Sequence, residues 1–283
     1  MLSNRMLNVN DLPLELLHEV FAWLSTVDVP GFDAATASIK LGWVVVSHVC
    51  KRWRDTILNM AVLWASIAGG VFTSQELCEE LIRRARNSPL YLWDWTRVSP
   101  EEFTRVILRQ TVSRLAIDHL ERIAKLALDA RDPATVHSIL GRPLPQLREL
   151  YLEGREPGAR DGQFLWLSGA ERTLISPHLQ TLEMRLVFFP FQAPALQALC
   201  IDHNWAGADI TYELLMDALA SCPLLEDLEL LDVLPLDDGV PSRPVPLSHL
   251  STLTYSGSPP DFTLLWDSLA IPPRAMSTYR SNS

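Results

Sequence analysis

The chain has 283 residues, 48% hydrophobic and 20% charged, so it can bury a core and lacks the charge excess of a disordered chain. Twenty-four Lys and Arg stand against 34 Asp and Glu, which gives a net charge of −10. This balance would repel a phosphate backbone or an anionic lipid surface, so the composition argues against nucleic-acid binding and against a polybasic membrane contact.

Four cysteines lie far apart in the sequence, at positions 50, 78, 200 and 222. This spacing is typical neither of a disulfide-rich scaffold nor of a zinc site built from CxxC pairs. The first ten residues lack the apolar run of a signal peptide, and no apolar stretch reaches the roughly 20 residues that cross a bilayer. We therefore expect reduced thiols in an intracellular protein, cytoplasmic or nuclear, without a membrane anchor.

The first predicted helix begins after Pro13. Its apolar residues recur on one face of a 3.6-residue period, namely Leu16, Leu17, Val20, Phe21 and Leu24. Asp11 or Asn10 can cap the amides that precede this face. The segment from Ser25 to Leu41 contains Pro30 and Gly31 without a sustained period, so it predicts a loop.

A second helix is predicted over residues 43–58. Its apolar stripe consists of Val45, Val46, Val49, Cys50, Trp53 and Ile57. The charged residues 51, 52, 54 and 55 lie off this stripe. A short apolar piece, Val62 to Trp64, closes the unit.

Together these pieces resemble an F-box. The matching residues occur in the family's order, as Leu12-Pro13, Glu15, Val49-Cys50, Lys51-Arg52-Trp53 and Leu63-Trp64. The segment from Ser25 to Leu41 is longer than the tight turn of the standard motif, as in many fungal F-box-like proteins. We place an F-box-like domain at residues 8–66.

The resemblance implies a non-catalytic substrate-recognition adaptor of a cullin-RING ubiquitin ligase, acting in ubiquitin-dependent protein degradation. The F-box would dock on a Skp-family linker of the ligase, while the rest of the chain would select a protein substrate. The residues that the resemblance assigns to adaptor binding are Leu12, Pro13, Leu16, Leu17, Val20, Val49 and Trp53.

The remainder of the chain contains a repeated L-x-x-L-x-L pattern. Six copies begin at Ile123, Leu147, Leu179, Leu196, Leu225 and Leu250, which lie 24, 32, 17, 29 and 25 residues apart. The pattern resembles leucine-rich repeats, in which each unit adds one short strand to a parallel sheet. We therefore expect an α/β protein: a helical F-box, an irregular leucine-rich-repeat-like solenoid over residues 67–270, and a flexible tail over 271–283.

Alternation along these strands predicts a substrate-binding, concave face. Leucines point into the core, and the residues between and just after them point to the opposite side of the sheet. The side chains on that side are Lys125, Asp129, Glu149, Tyr151, Glu153, Thr181, Glu183, Arg185, Asp202, Asp227 and Glu229. Seven of the eleven are acidic, so we expect a basic segment of a protein substrate there. The alternative is an acidic, solvated face that keeps the protein soluble.

The sequence contains no phosphate-binding loop, nucleophile elbow or HExxH zinc motif. His203 beside Asp202 is the nearest approach to a catalytic pair, but no nucleophile motif accompanies it. We therefore expect no catalytic residue, metal or cofactor. Two alternatives remain open: a leucine-rich-repeat interaction or structural protein whose F-box-like segment only caps the solenoid, and an acid-site hydrolase with two carboxylates in one cleft. Exposure of Leu12, Leu16 and Leu17 would favour the adaptor over the cap.

Overall fold

The chain forms two compact units, Met1–Val112 and Ser113–Ser283. The computed structural model describes residues 12–33, 38–69, 74–92, 112–130, 133–154, 165–166, 173–202, 211–233 and 244–281. The predicted boundary after residue 66 lies inside the first unit, because a further helix and a strand follow it there.

The first unit is mainly helical. Its elements in chain order are α1 (Leu14–Val27), β1 (Gly31–Asp33), β2 (Ser38–Lys40), a 3₁₀ helix (Gly42–His48), α2 (Lys51–Asn59), α3 (Ala61–Ser66), α4 (Gln75–Ala85) and β3 (Leu90–Leu92). Its largest fully buried side chains include Leu17, Phe21, Trp43, Ile57 and Trp64. The rings of Trp43 and Trp64 meet edge to face with centroids 5.0 Å apart, a geometry that aromatic pairs prefer.

The predicted loop from Ser25 to Leu41 is partly ordered secondary structure. Helix α1 continues to Val27, and β1 and β2 pair antiparallel as a hairpin. Lys40 Nζ lies 2.6 Å from a carboxylate oxygen of Asp28, which links the end of the hairpin to the residue after α1. The prediction of an entirely irregular loop is therefore wrong for the described part of this segment.

The predicted continuous helix over residues 43–58 is also wrong. Cys50 has an extended backbone, with φ −155° and ψ 170°, and so separates the 3₁₀ helix from α2. The Cys50 Sγ accepts a hydrogen bond from the backbone N–H of Trp53 at 3.5 Å, as an N-cap side chain does. A single residue thus ends one helical segment and caps the next.

The second unit is built on a parallel sheet. Its elements in chain order are a 3₁₀ helix (Leu120–Arg122), β4 (Ile123–Asp129), α5 (Pro133–Ile139), β5 (Glu149–Glu153), β6 (Leu165–Trp166), β7 (Leu174–Ile175), β8 (Thr181–Arg185), β9 (Val187–Phe188), β10 (Phe191–Gln192), β11 (Ala198–Asp202), α6 (Tyr212–Ala220), β12 (Asp227–Leu231), β13 (Val245–Pro246), β14 (Thr252–Gly257), α7 (Pro259–Asp267), β15 (Leu269–Ala270) and β16 (Met276–Ser281). Residues 112–118 are also helical.

Each main strand of this unit pairs in parallel with the next main strand along the chain. The neighbours are β4, β5, β8, β11, β12, β14 and β16. The register aligns Lys125, Glu149, Thr181, Ala198, Asp227 and Thr252. These residues are 24, 32, 17, 29 and 25 positions apart, the spacings of the sequence repeat. The predicted helical N-terminal region followed by a parallel sheet is confirmed.

A proline-containing turn precedes most of these strands. The backbone N–H groups that close the turns, each donating to the carbonyl three residues earlier at 3.0–3.4 Å, belong to Leu147, Leu179, Leu196 and Leu225. Proline occupies the second turn position, where its fixed φ suits the turn, at Pro145, Pro177, Pro194 and Pro223. The structural repeat is therefore x-Pro-x-Leu-x-x-Leu-x-Leu, longer than the pattern read from the leucines.

Within the segment predicted as a flexible tail, residues 276–281 form strand β16 beside β14. The Tyr279 ring stacks on the Tyr255 ring with centroids 6.3 Å apart. The Tyr279 hydroxyl also donates a 2.9 Å hydrogen bond to the Gly257 carbonyl. This stack and the strand ladder together hold the segment in the sheet.

The backbone at Gly154 lies close to the backbone at Leu186 of the next repeat, and a substitution at Gly154 tests this close packing. A Cβ at this position would lie 2.1 Å from the Leu186 carbonyl oxygen, a backbone atom that cannot rotate away. Because the backbone must shift, we expect Gly154→Ala to lower the free energy of unfolding by about 1–3 kcal/mol. Chemical denaturation measures this, with Gly31→Ala as the control, since a Cβ at Gly31 meets nothing within 4 Å. Equal stability of the two variants would contradict the packing.

Candidate functional site

An apolar stripe runs along the exposed face of α1. It consists of Leu16, Val20, Trp23 and Val27, whose spacings of four, three and four residues place them on one side of the helix. Their exposed fractions are 45%, 47%, 64% and 56%. We call these four residues the α1 stripe. Large apolar side chains exposed on successive turns mark a protein-interaction surface more often than isolated ones do.

The predicted adaptor-binding residues fall into three classes of exposure. Pro13, Leu16, Val20 and Val49 are exposed, while Leu12 and Trp53 are half-buried. Leu17 is fully buried in the core of the first unit, so its side chain contributes to that core and not to the surface of α1. The helical period turns Leu17 away from the α1 stripe toward the side that carries buried Phe21.

Sequence reasoning missed Trp23 and Val27. They continue the spacing of Leu16 and Val20, so the period alone could have found them once the exposed face was distinguished from the buried one. The prediction assigned the exposed Leu16 and Val20 and the buried Leu17 and Phe21 to a single apolar face of the helix. Single-sequence periodicity cannot separate a core-facing leucine from a partner-facing one when both sides of a helix are apolar.

The motif residues of α2 position the start of α1. The Arg52 guanidinium donates a hydrogen bond to the carbonyl oxygen of Leu12, directly before Pro13 and the first turn of α1. The Trp53 ring meets the Phe21 ring edge to face with centroids 5.4 Å apart. These two contacts join the Leu-Pro and Arg-Trp segments of the sequence, and they fix the orientation in which α1 presents its stripe.

The second candidate surface is the outer face of the parallel sheet, formed by the side chains that alternate with the buried leucines. The predicted face residues that are half-buried or exposed there are Lys125, Glu149, Tyr151, Glu153, Thr181, Glu183, Arg185, Asp202, Asp227 and Glu229. The side chain of Asp129 and the whole of His203 lie outside the described residues. The predicted alternation is confirmed by the neighbouring residues, such as Leu228 and Leu230, which are buried.

Basic side chains on the outer face are paired with acidic ones. Lys125 Nζ lies 2.5 Å from Glu149 Oε2 and 5.5 Å from the centre of the Tyr151 ring. Arg185 Nε lies 2.5 Å from Glu183 Oε1. Positive charge on strands β4, β5 and β8 is therefore largely neutralised within the face.

Strand β12 carries two carboxylates of the outer face without an ion-pair partner among the described residues. Within the described part of the chain, Asp227 and Glu229 make no ion pair. The small side chains of Ala198 and Cys200 on β11 leave an open depression of about 270 Å³, which Glu183, Asp227 and Glu229 help to line. This arrangement gathers negative charge around a shallow recess.

Burial and neighbouring charge both raise the pKa values of two half-buried groups on β11. Burial raises the pKa of the Cys200 thiol to about 12, with further increases from Glu229 and Glu183. Burial also raises the pKa of Asp202, where Arg185 acts in the opposite sense and the Asp232 carboxylate adds to the increase. Both shifts have the sign that a negative potential produces.

The rate at which Cys200 is alkylated therefore depends on the negative electrostatic potential at the outer face. A raised thiol pKa lowers the thiolate fraction at pH 8, so we expect slow alkylation of Cys200 by iodoacetamide. Glu229→Gln removes a neighbouring negative charge, so it should lower the pKa and accelerate alkylation severalfold. Peptide mass spectrometry over time measures the rate at this residue. Glu213→Gln, on α6, is the control; equal rates in both variants would contradict the assigned cause.

Comparison with known families agrees with the first unit. Residues 9–68 match the F-box-like family, and the matched segment contains α1, the hairpin, α2 and α3. The chain thus contains an F-box-like domain at these residues, in agreement with the prediction. No curated protein matches the chain. Proteins with an F-box are typically non-catalytic adaptors, and the domain implies a Skp-type partner and suggests a ligase adaptor role.

None of the helices in the described ranges combines the length and apolar character needed to cross a membrane. Within those same ranges, no three His, Cys, Asp or Glu side chains come together in a way that could hold a metal ion.

Proposed function

We propose that the chain is a non-catalytic substrate-recognition adaptor of a cullin-RING ubiquitin ligase. Its F-box-like domain docks on a Skp-family linker, its second unit binds a protein substrate, and the complex directs ubiquitin-dependent degradation in the cytoplasm or nucleus. The observation that carries the proposal is the F-box-like match over a helical unit whose first helix exposes an apolar stripe.

The α1 stripe has the chemistry of a helix-in-groove contact. Such contacts use apolar anchors spaced at i, i+4, i+7 and i+11, the spacing of Leu16, Val20, Trp23 and Val27. Burial of one large apolar side chain contributes on the order of 1.5–3 kcal/mol before the cost of association. Four such anchors on one face can therefore supply a substantial part of the binding free energy of a helix-in-groove complex.

Exposure of the stripe favours docking over capping. A segment that only caps a solenoid needs its apolar side chains buried within the chain, as a terminal repeat does. Of the three leucines whose exposure distinguishes the alternatives, Leu16 is exposed, Leu12 is half-buried and Leu17 is buried as part of the first unit's own core. Val20 and Trp23 are exposed beside Leu16 on the stripe. Helix α1 therefore has one apolar side that packs into the core of the first unit and another that is exposed and proposed for docking.

Truncation of the stripe tests the docking proposal. We expect Leu16→Ala with Val20→Ala to weaken binding of a purified Skp-family linker by about 2–4 kcal/mol, because both side chains lose apolar contact area. Isothermal titration calorimetry measures the affinity. The matched control is Glu15→Ala with Glu19→Ala, on the same helix but off the stripe. Unchanged affinity in a folded Leu16/Val20 variant would contradict the assignment.

Substrate binding is assigned to the outer face of a leucine-rich-repeat-like second unit. The parallel register, the proline turns and the alternating leucines support this description of the unit. The residues proposed to contact substrate are Lys125, Glu149, Tyr151, Glu183, Arg185, Asp202, Asp227 and Glu229. The depression beside Asp227 and Glu229 favours a basic segment, because these carboxylates have no cation of their own in the described chain.

Charge reversal tests the substrate proposal. We expect Asp227→Lys with Glu229→Lys to weaken binding of a fluorescent Lys-rich synthetic peptide roughly tenfold, because two attractive charges become repulsive. Fluorescence anisotropy at low and high salt measures the effect, which salt should reduce. The control is Glu213→Lys with Asp217→Lys, which changes the net charge equally on exposed positions of α6. Equal losses in both variants would show that only net charge attracts the peptide.

A further inference from the structure

Among the described residues, strand β16 forms an open edge of the parallel sheet. It is the last strand in the described sheet and pairs on one side, with β14. Its residues 276–280 are exposed, with Met276 reaching 71% and Tyr279 36%. Six residues of strand span roughly 20 Å, enough for several hydrogen bonds to an added strand.

The backbone direction of each β16 residue follows from its pairing. The Met276 N–H donates to the Ser251 carbonyl at 2.8 Å, so residues 276, 278 and 280 direct their N–H and C=O groups toward β14. The alternate residues, Ser277, Tyr279 and Ser281, therefore direct theirs toward the open edge. Three evenly spaced donor and acceptor pairs face away from the sheet.

The edge lacks the features by which proteins usually block strand addition. Such features include proline within the strand, a bulge and several charged side chains. The two prolines nearby, at 272 and 273, precede the strand, and Arg280 is its only charged residue. Thr278 and Tyr279 are also residue types that favour extended pairing.

We propose that β16 pairs antiparallel with β16 of a second copy of this chain, about a two-fold axis at Tyr279. This axis places Ser277 opposite Ser281 and Tyr279 opposite Tyr279, so all three open-edge pairs of groups are satisfied in both copies. Tyr279 already stacks on Tyr255, and the second Tyr279 extends this aromatic row across the axis.

Charge favours a second copy over a basic peptide at this edge. The two-fold places Arg280 opposite Thr278 of the other copy, so no like charges lie directly opposite. β16 has no acidic residue to attract a basic segment, and Asp227 and Glu229 lie on β12, two strands further in. The edge dimer and the acidic depression are therefore separate surfaces.

The size of the contact sets its strength. Pairing one strand with another buries less than the roughly 1,200 Å² of a standard specific interface. We therefore expect a monomer–dimer equilibrium with a dissociation constant in the micromolar range or weaker.

Sedimentation equilibrium of the full chain over a concentration series tests the proposal. We expect Thr278→Lys to raise the dissociation constant roughly tenfold, because each lysine faces Arg280 of the other copy. Thr254→Lys is the matched control: Thr254 lies beside Thr278 in the register, one strand in from the edge, and should leave the equilibrium unchanged. Thr278→Glu should instead strengthen the dimer, since it faces the same arginine with opposite charge.

Three results would overturn the proposal. The first is a chain that stays monomeric up to about 1 mM. The second is a dimer on which Thr278→Lys has no greater effect than Thr254→Lys. The third is a dimer that is abolished by Val20→Glu on the α1 stripe but unaffected by Thr278→Lys, which would place the contact on α1.

Discussion

Burial of two apolar side chains in each of the strands β4, β5, β8, β11, β12 and β14 is the constraint on which the second unit depends. In β5 and β12, for example, the paired leucines Leu150 with Leu152 and Leu228 with Leu230 are buried. Because strand side chains alternate, every such pair forces the residue between its members onto the outer face. Return segments of different length do not disturb this, since the parallel register is set by the leucines and not by the spacing between repeats. An irregular sequence repeat can therefore build a regular surface.

The first unit is subject to a different constraint, because it must stay folded while large apolar side chains on α1 remain exposed. Leu17 and Phe21 give α1 a core face, while the contact of Arg52 with the Leu12 carbonyl holds its first turn. The extended Cys50 ends the 3₁₀ helix and begins α2, so that Arg52 and Trp53 reach α1. The basic and aromatic residues of the motif thus act mainly by positioning α1, and the exposed apolar side chains lie on α1 itself.

Sequence reasoning succeeded where one strong period or pattern decided the structure. The six leucine segments gave the strand positions and the outer-face residues, because alternation allows only one buried set. It failed where contacts distant in sequence decide. The ordering of β16 depends on Tyr279 stacking against Tyr255, and the burial of Leu17 depends on which side of α1 meets the core. Neither contact has a local signature, since polar residues 276–281 resemble a frayed end and both sides of α1 are apolar.

Charge is distributed unevenly along the outer face of the sheet. Lys125 with Glu149 and Arg185 with Glu183 neutralise each other on β4, β5 and β8, whereas Asp227 and Glu229 on β12 face the recess above Ala198 and Cys200. The paired carboxylates Glu149 and Glu183 each hold a cation, whereas Asp227 and Glu229 hold none within the described residues, so the proposed basic segment would gain most from contact near β12. Arg185 also limits how negative Asp202 and Glu183 make the centre of the face. Ion pairs within the face therefore leave the strongest unpaired negative charge of the described residues at one recess, so the proposed basic ligand would be selected by position as well as by the net charge of −10.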